Sequence, residues 1–214
     1  MVYPIGKKII PPIYKLWLRN AKGIENIPEA PFIIAANHSS YYDTVLPHSI
    51  IIPILNKKIH ALSNSTYWKN PITRWILNLS ECIPVYVKKE KYHQKKNKLA
   101  FEKAVSYLKK NEIVMIFPEG KRSSDGKLQK AYGGVGRLVL KSKVPVLPFG
   151  IIDSHKVFPK GKILPRFARC EVKIGKLIYF NEYYGKRTSK KTLEEITRNI
   201  MKEIAKLIGQ EYSY

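Results

Sequence analysis

Short apolar runs alternate along this chain with segments that carry an apolar stripe at helical spacing. That alternation restricts the fold more than any other feature. Phe32-Ile33-Ile34-Ala35-Ala36 is apolar at every position. A strand with one face in water would alternate, so a continuous run marks a strand covered on both faces. Ile83 to Val87 and Ile113 to Phe117 repeat the pattern. Val144 to Gly150 is a fourth run. Its Pro145 and Pro148 predict an irregular or edge strand, because proline donates no ladder hydrogen bond. Glu171 to Gly175 alternates and reads as a strand closing one side of the sheet.

Between these runs, Phe101, Ala104, Val105 and Leu108 follow the i, i+3, i+4, i+7 stripe of a helix. Leu193, Ile196, Ile200, Ile204, Leu207 and Ile208 do the same near the C-terminus. Thr192-x-x-Glu195 reads as a capping box there, and Gly209 as the stop. Strands alternating with helices predict an α/β fold, a mostly parallel sheet flanked by helices. At 214 residues, with no repeat or low-complexity tract, the chain reads as a single domain, 1–214. The basic stretch from Lys88 to Lys98 reads as a solvated connection.

Lys plus Arg number 39 against 16 Asp plus Glu, a net charge of +23. A surface so charged seeks polyanions: nucleic acid, anionic lipid or a phosphorylated substrate. No zinc-finger spacing and no glycine-aromatic signature of an RNA-recognition sheet accompanies it, so nucleic acid is not the expected partner. Cys82 and Cys170 are far apart and have no ligand spacing, which argues against a disulfide scaffold or a structural zinc. Each reads as a small core residue in a reducing compartment.

No apolar run approaches the ~18 residues of a spanning helix. Residues 1–22 mix Ile9, Ile10, Ile13, Trp17 and Leu18 with cations and three prolines. The segment fits an interfacial, membrane-facing helix or a helix packed on the core. The expected attachment is peripheral or monotopic, on the cytoplasmic face of a membrane.

Two segments carry chemistry. The first is Asn37-His38-Ser39-Ser40-Tyr41-Tyr42-Asp43, directly after a predicted strand. In a continuous helix five residues turn ~500°, which would point His38 and Asp43 ~140° apart. They meet only if the chain folds back within that stretch. A carboxylate on one imidazole nitrogen fixes the tautomer and leaves the other nitrogen free to take a proton from a substrate hydroxyl. Equally, Asp43 can simply cap a helix through Leu46. A metal site that adds His48 has no spacing to fix it.

The second segment, Phe117-Pro118-Glu119-Gly120-Lys121-Arg122-Ser123, also follows a predicted strand. Gly120 permits a sharp turn, Arg122 can fork onto a phosphate and Lys121 adds a point charge. Glu119 repels an anion, so its use would be to pin Arg122 or a substrate hydroxyl. By itself the segment reads equally as a surface turn with an ion pair.

The order of motifs is more specific than either: Asn37-His38-x-x-x-x-Asp43, then Phe117-Pro118-Glu119-Gly120-x-Arg122-Ser123, then Val144-Pro145-Val146-Leu147-Pro148. From about Gly23 to Gly150 this resembles the glycerophospholipid acyltransferase family, especially 1-acylglycerol-3-phosphate acyltransferases. The resemblance implies transfer of a fatty acyl group from an acyl thioester, on coenzyme A or acyl carrier protein, to a lysophospholipid acceptor, giving phosphatidate. It implies no metal and no cofactor. His38 would be the general base, oriented by Asp43, with Glu119, Gly120, Lys121 and Arg122 binding acceptor.

The chain departs from the family pattern in three places. Lys88 stands where the family usually has arginine, Lys121 where it commonly has threonine, and Ala131-Tyr132-Gly133-Gly134 where Phe-Lys-x-Gly often follows. Lys127 and Lys130 lie close enough to substitute for that lysine. The stretch Tyr67, Trp68, Ile72, Trp75, Ile76 and Leu77 reads as acyl slot, membrane contact or core. Rival readings are a different acceptor, such as glycerol 3-phosphate or another lysolipid, a lipid-binding module with a dead site, and a non-catalytic polyanion-binding protein.

Overall fold

The computed structural model describes residues 16–86, 91–159, 161–162, 164–186 and 188–214. In chain order the elements are β1 (Leu18–Lys22), β2 (Ile33–Ala36), α1 (Val45–Leu55), β3 (Ile59–Asn64), α2 (Pro71–Leu79), β4 (Ile83–Val85), α3 (His93–Lys109), β5 (Ile113–Ile116), α4 (Gly134–Ser142), β6 (Val146–Ile152), the single turn α5 (Ser154–Val157), β7 (Cys170–Ile174) and α6 (Lys190–Ile208). The strands form one sheet in the order β1-β7-β6-β2-β5-β3-β4. Neighbours run parallel except β6 and β7.

The runs Phe32–Ala36 and Ile113–Phe117 are central strands, β2 and β5, as the two-faced burial argument requires, but the run at Ile83 is not: β4 is the outermost strand beside β3, and only Ile83 in it is buried. Along β2, Phe32, Ile34 and Ala36 point to one face, with Ile50 and Ile51 of α1. Ile33 and Ala35 point to the other, with Ala104 and Leu108 of α3, Val135 and Leu138 of α4 and Ile196, Ile200 and Ile204 of α6. Gly136 lets the last two helices approach closely, since a Cβ there would lie 2.8 Å from the Leu193 carbonyl oxygen.

Several sequence expectations are corrected. β6 is not an edge strand: it lies between β7 and β2. Pro148 forgoes one ladder bond within β6, while its carbonyl still accepts from Gly175 N–H, one residue past Ile174. β7 does not close the sheet, since β1 pairs beyond it. The expected helical N-terminal segment lies outside the described residues over 1–15, and its end, Leu18–Lys22, is a strand. Ser189, not Thr192, caps α6: its hydroxyl accepts from Thr192 N–H. Gly209 ends that helix at φ +69°. Gln94 to Lys98 belongs to α3 rather than to a solvated connection. No helix among the described residues is long and apolar enough to cross a membrane.

The topology fixes where a ligand can sit. β2 and β5 are adjacent and parallel. The chain leaving β2 enters α1 on one face, and the chain leaving β5 enters α4 on the other. The two connections diverge, opening a crevice at the carboxyl ends of the strands.

Candidate active site

Asn37 leaves β2 and is clamped at once to β6. Its Nδ2 donates to the Ile151 carbonyl (2.8 Å) and its Oδ1 accepts from Ile151 N–H (2.7 Å). His38 follows, held by its backbone to the loop after β5. Its N–H donates to Glu119 Oε1 (2.8 Å) and its carbonyl accepts from Ser123 N–H (2.8 Å). The imidazole stacks on Phe117 with ring centroids 3.9 Å apart, at the rim of the crevice.

The chain folds back between His38 and Asp43, as their spacing demands. Ser40 sits in extended backbone and caps a 3-10 turn, Tyr41–Thr44. Its hydroxyl accepts from Tyr42 N–H (3.1 Å). Asp43 is fully buried. Its Oδ2 accepts from Ser39 N–H (2.6 Å), Ser40 N–H (2.7 Å) and His38 Nδ1 (2.9 Å). An oxygen already accepting two amides has no proton to give, so Nδ1 carries the hydrogen. Nε2 is left unprotonated in the neutral ring, and no described residue bonds it. One carboxylate thus both caps the turn and orients the imidazole.

Glu119 is only 1 % exposed. Oε1 takes His38 N–H and Oε2 takes Gln129 N–H (2.8 Å). Burial pushes its pKa up to about 7, with Asp43 adding repulsion, against these two hydrogen bonds and Lys121. Sequence reasoning put Glu119 against Arg122 or substrate. Its contacts are instead with the chain itself, and they couple the two motif segments. Gly120 makes the turn at φ +66°, with the Tyr132 ring against the position of a Cβ (3.3 Å).

Arg122 lies with its guanidinium carbon 3.6 Å from the centroid of the Tyr41 ring. The Tyr67 hydroxyl lies within electrostatic reach of Arg122 and Tyr41, and burial is the first cause that raises its pKa. Arg122 Nη1 is buried and finds no partner among the described residues. A buried cationic donor without an acceptor is costly and suits an anion that completes it. Lys121, Lys127 and Lys130 are exposed beyond it. Lys88 lies outside the described residues.

His48 does not join His38: its Nδ1 faces the Thr44 carbonyl and its Nε2 the Ile59 carbonyl, and burial lowers its pKa. Burial pushes the thiols of Cys82 and Cys170 up to about 11 and about 12. A cavity of about 590 Å³ lined by Phe101, Arg137, Leu140 and Leu193 includes none of the site residues.

Two braces were not foreseen. Gln210 Oε1 accepts from Leu128 N–H and its Nε2 donates to the Gly126 carbonyl, both at 3.0 Å. The Tyr212 hydroxyl accepts from Ala131 N–H (2.9 Å). They lie past the end of α6, where no local pattern marks them.

A family model described as acyltransferase matches residues 19–152, which include both motif segments and the strands that carry them. The chain belongs to the acyltransferase family. It is 28 % identical to the chloroplast 1-acyl-sn-glycerol-3-phosphate acyltransferase of Arabidopsis thaliana, over 70 % of this chain and 40 % of that protein. It is 30 % identical to the 1-acyl-sn-glycerol-3-phosphate acyltransferase of Pseudomonas aeruginosa, over 65 % of this chain and 51 % of the relative. The chain spans about half or less of the length of these two relatives. The crystal structure of the 1-acyl-sn-glycerophosphate acyltransferase of Thermotoga maritima shares the fold, with a TM-score of 0.66 at 22 % identity, over 97 % of this chain and 83 % of that one. In this acyltransferase-family domain, both motif segments lie at the rim where the connections from β2 and β5 diverge.

Proposed function

We propose that the protein transfers a fatty acyl group from an acyl thioester, on coenzyme A or acyl carrier protein, to the free hydroxyl of 1-acylglycerol 3-phosphate, giving phosphatidate. The observation that carries this reading is the His38–Asp43 pair, with Nδ1 bound at 2.9 Å and Nε2 free at the rim. The acceptor hydroxyl gives its proton to His38 Nε2 as its oxygen attacks the thioester carbonyl carbon. The tetrahedral intermediate collapses, the carbon–sulfur bond breaks, and the imidazolium returns the proton to the leaving thiolate. Asp43 stabilises the imidazolium between those steps.

Arg122 takes the acceptor phosphate through its unpartnered Nη1, with the Tyr41 ring holding the guanidinium. Gly120 and Lys121 shape and charge the same turn, and Lys88 would add a further cation. Glu119 acts as a positioning residue: it holds the backbone of the base relative to the phosphate clamp. The +23 charge attracts the chain to an anionic membrane surface, where both substrates collect.

The test is release of free thiol from acyl-coenzyme A and acyl carrier protein thioesters by the purified protein. 1-Acylglycerol 3-phosphate, glycerol 3-phosphate and other lysolipids are compared as acceptors. Acceptor-dependent release with the first is expected. Release preferring glycerol 3-phosphate would reassign the acceptor, and no release with any acceptor would refute acyl transfer.

A further inference from the structure

We propose that α2, together with Leu164 and Phe167, docks the protein onto an anionic lipid bilayer beside the Arg122 site. None of the nine residues of α2 is buried. Ile72, Trp75, Ile76 and Leu79 recur at i, i+3, i+4 and i+7, with exposures from 48 % to 71 %. A helix packed on a soluble core turns that stripe inward; here it faces solvent. Leu164 is 76 % exposed and Phe167 wholly so.

Both prominences border the site. Tyr67 lies just before α2, and its backbone carbonyl accepts from the Thr73 hydroxyl of that helix. Its ring meets Tyr41 edge-on at 6.0 Å. Phe158, which leads into the segment with Leu164 and Phe167, also meets Tyr41 edge-on at 6.2 Å. The Tyr41 ring is the one that stacks on Arg122. The stretches that lead into both sets of exposed apolar side chains therefore meet at the ring on which the unpartnered Arg122 stacks.

Charge identifies the occupant. Residues 65–80 and 158–170 together contain six Lys or Arg and no Asp or Glu. Apolar side chains set among cations, with a tryptophan in the stripe, match the boundary between acyl chains and anionic headgroups. Nucleic acid would use the cations but give the isoleucines and leucines nothing apolar to enter. Docked this way, the protein would meet an acceptor phosphate at headgroup depth, a consequence that rests on the acyltransfer reading.

The experiment is sedimentation of the full chain with substrate-free vesicles, of phosphatidylcholine alone or enriched in phosphatidylglycerol. The wild type should bind the enriched vesicles preferentially. I72S/W75S should lower the partition coefficient by about tenfold or more, and L164S/F167S by a similar factor. All four side chains are exposed, so melting by circular dichroism should not change. The two pairs are independent, and either keeps the test alive if the other misfolds.

Wild-type sedimentation by both double variants would overturn the proposal, as would equal binding to neutral vesicles. So would a dimer that I72S/W75S dissociates while vesicle binding is unaffected. Because the vesicles hold no substrate, acyl transfer is judged separately. It is measured by wild-type thioester release with a short-chain acceptor in monomeric solution. Failure there with retained sedimentation strikes the function alone.

Discussion

Asp43→Asn separates the two tasks of that carboxylate. Three N–H groups converge on Oδ2 at 2.6, 2.7 and 2.9 Å. Oδ1 is buried with no partner among the described residues. An asparagine can keep its oxygen at the first position and its NH2 at the second. The three bonds then persist, but each changes from charge-assisted to neutral at a cost of about 1 kcal/mol. The sum is about 2–3 kcal/mol, or about 5–10 °C in melting temperature for a domain of this size. Turnover suffers more. The imidazolium formed when Nε2 takes a proton loses its counter-charge, and kcat should fall about 10²–10⁴-fold with the fold intact. The assays are thiol release at saturating substrates and thermal melting by circular dichroism. If melting falls as stated while kcat stays within about threefold of wild type, Asp43 is only a cap and the mechanism is wrong.

His38→Ala should reduce turnover to background while melting stays cooperative; unchanged thiol release would remove His38 from the reaction. Arg122→Ala should raise the KM for the acceptor about 10–100-fold and leave that for the thioester donor unchanged. Arg122→Lys should recover only part of the loss, because an ammonium cannot reproduce the fork; an effect confined to donor KM would contradict the assignment. Glu119 carries a pH dependence whose direction is fixed. Its folded pKa, about 7, lies above the ordinary 4.5. The protonated acid therefore favours the folded state, and its contribution is full below 4.5 and lost as pH rises through 7. The difference amounts to about 3 kcal/mol. Urea unfolding of the wild type, minus that of Glu119→Gln, should decline across that window; a flat difference would mean that burial does not govern this carboxyl.

What the sequence disclosed, and what it did not, follows from the range of the forces involved. β2 and β5 were legible because burial on both faces writes itself into every position of a short strand. β6 was legible as a strand but misplaced. The proline rule counts one missing donor, and it cannot register that β2 and β7 pair with the rest of the strand on both sides. β1, Leu-Arg-Asn-Ala-Lys, has no apolar period at all and is a strand only through its pairing with β7, including an Arg19–Glu171 ion pair. The His38–Asp43 turn could be argued from five-residue geometry. The Gln210 and Tyr212 braces could not, since they meet their partners 81 to 84 residues away.

Glu119 carries the point furthest. Beside Lys121 and Arg122 it reads as a local ion pair, and no nearby residue suggests otherwise. In the fold it accepts the His38 amide, while Ser123 N–H returns a bond to the His38 carbonyl. The two motif segments thus form one hydrogen-bonded unit that spans adjacent strands. Moving the base relative to Arg122 would break both bonds. Burying a carboxylate so far that its pKa reaches about 7 is unfavourable in isolation. It persists because its two oxygens satisfy the His38 and Gln129 amides. On the proposed mechanism, Glu119 is the residue that keeps base and cation within reach of one substrate. Each motif taken separately was ambiguous for the same reason: the residue that joins them donates nothing to its own neighbours.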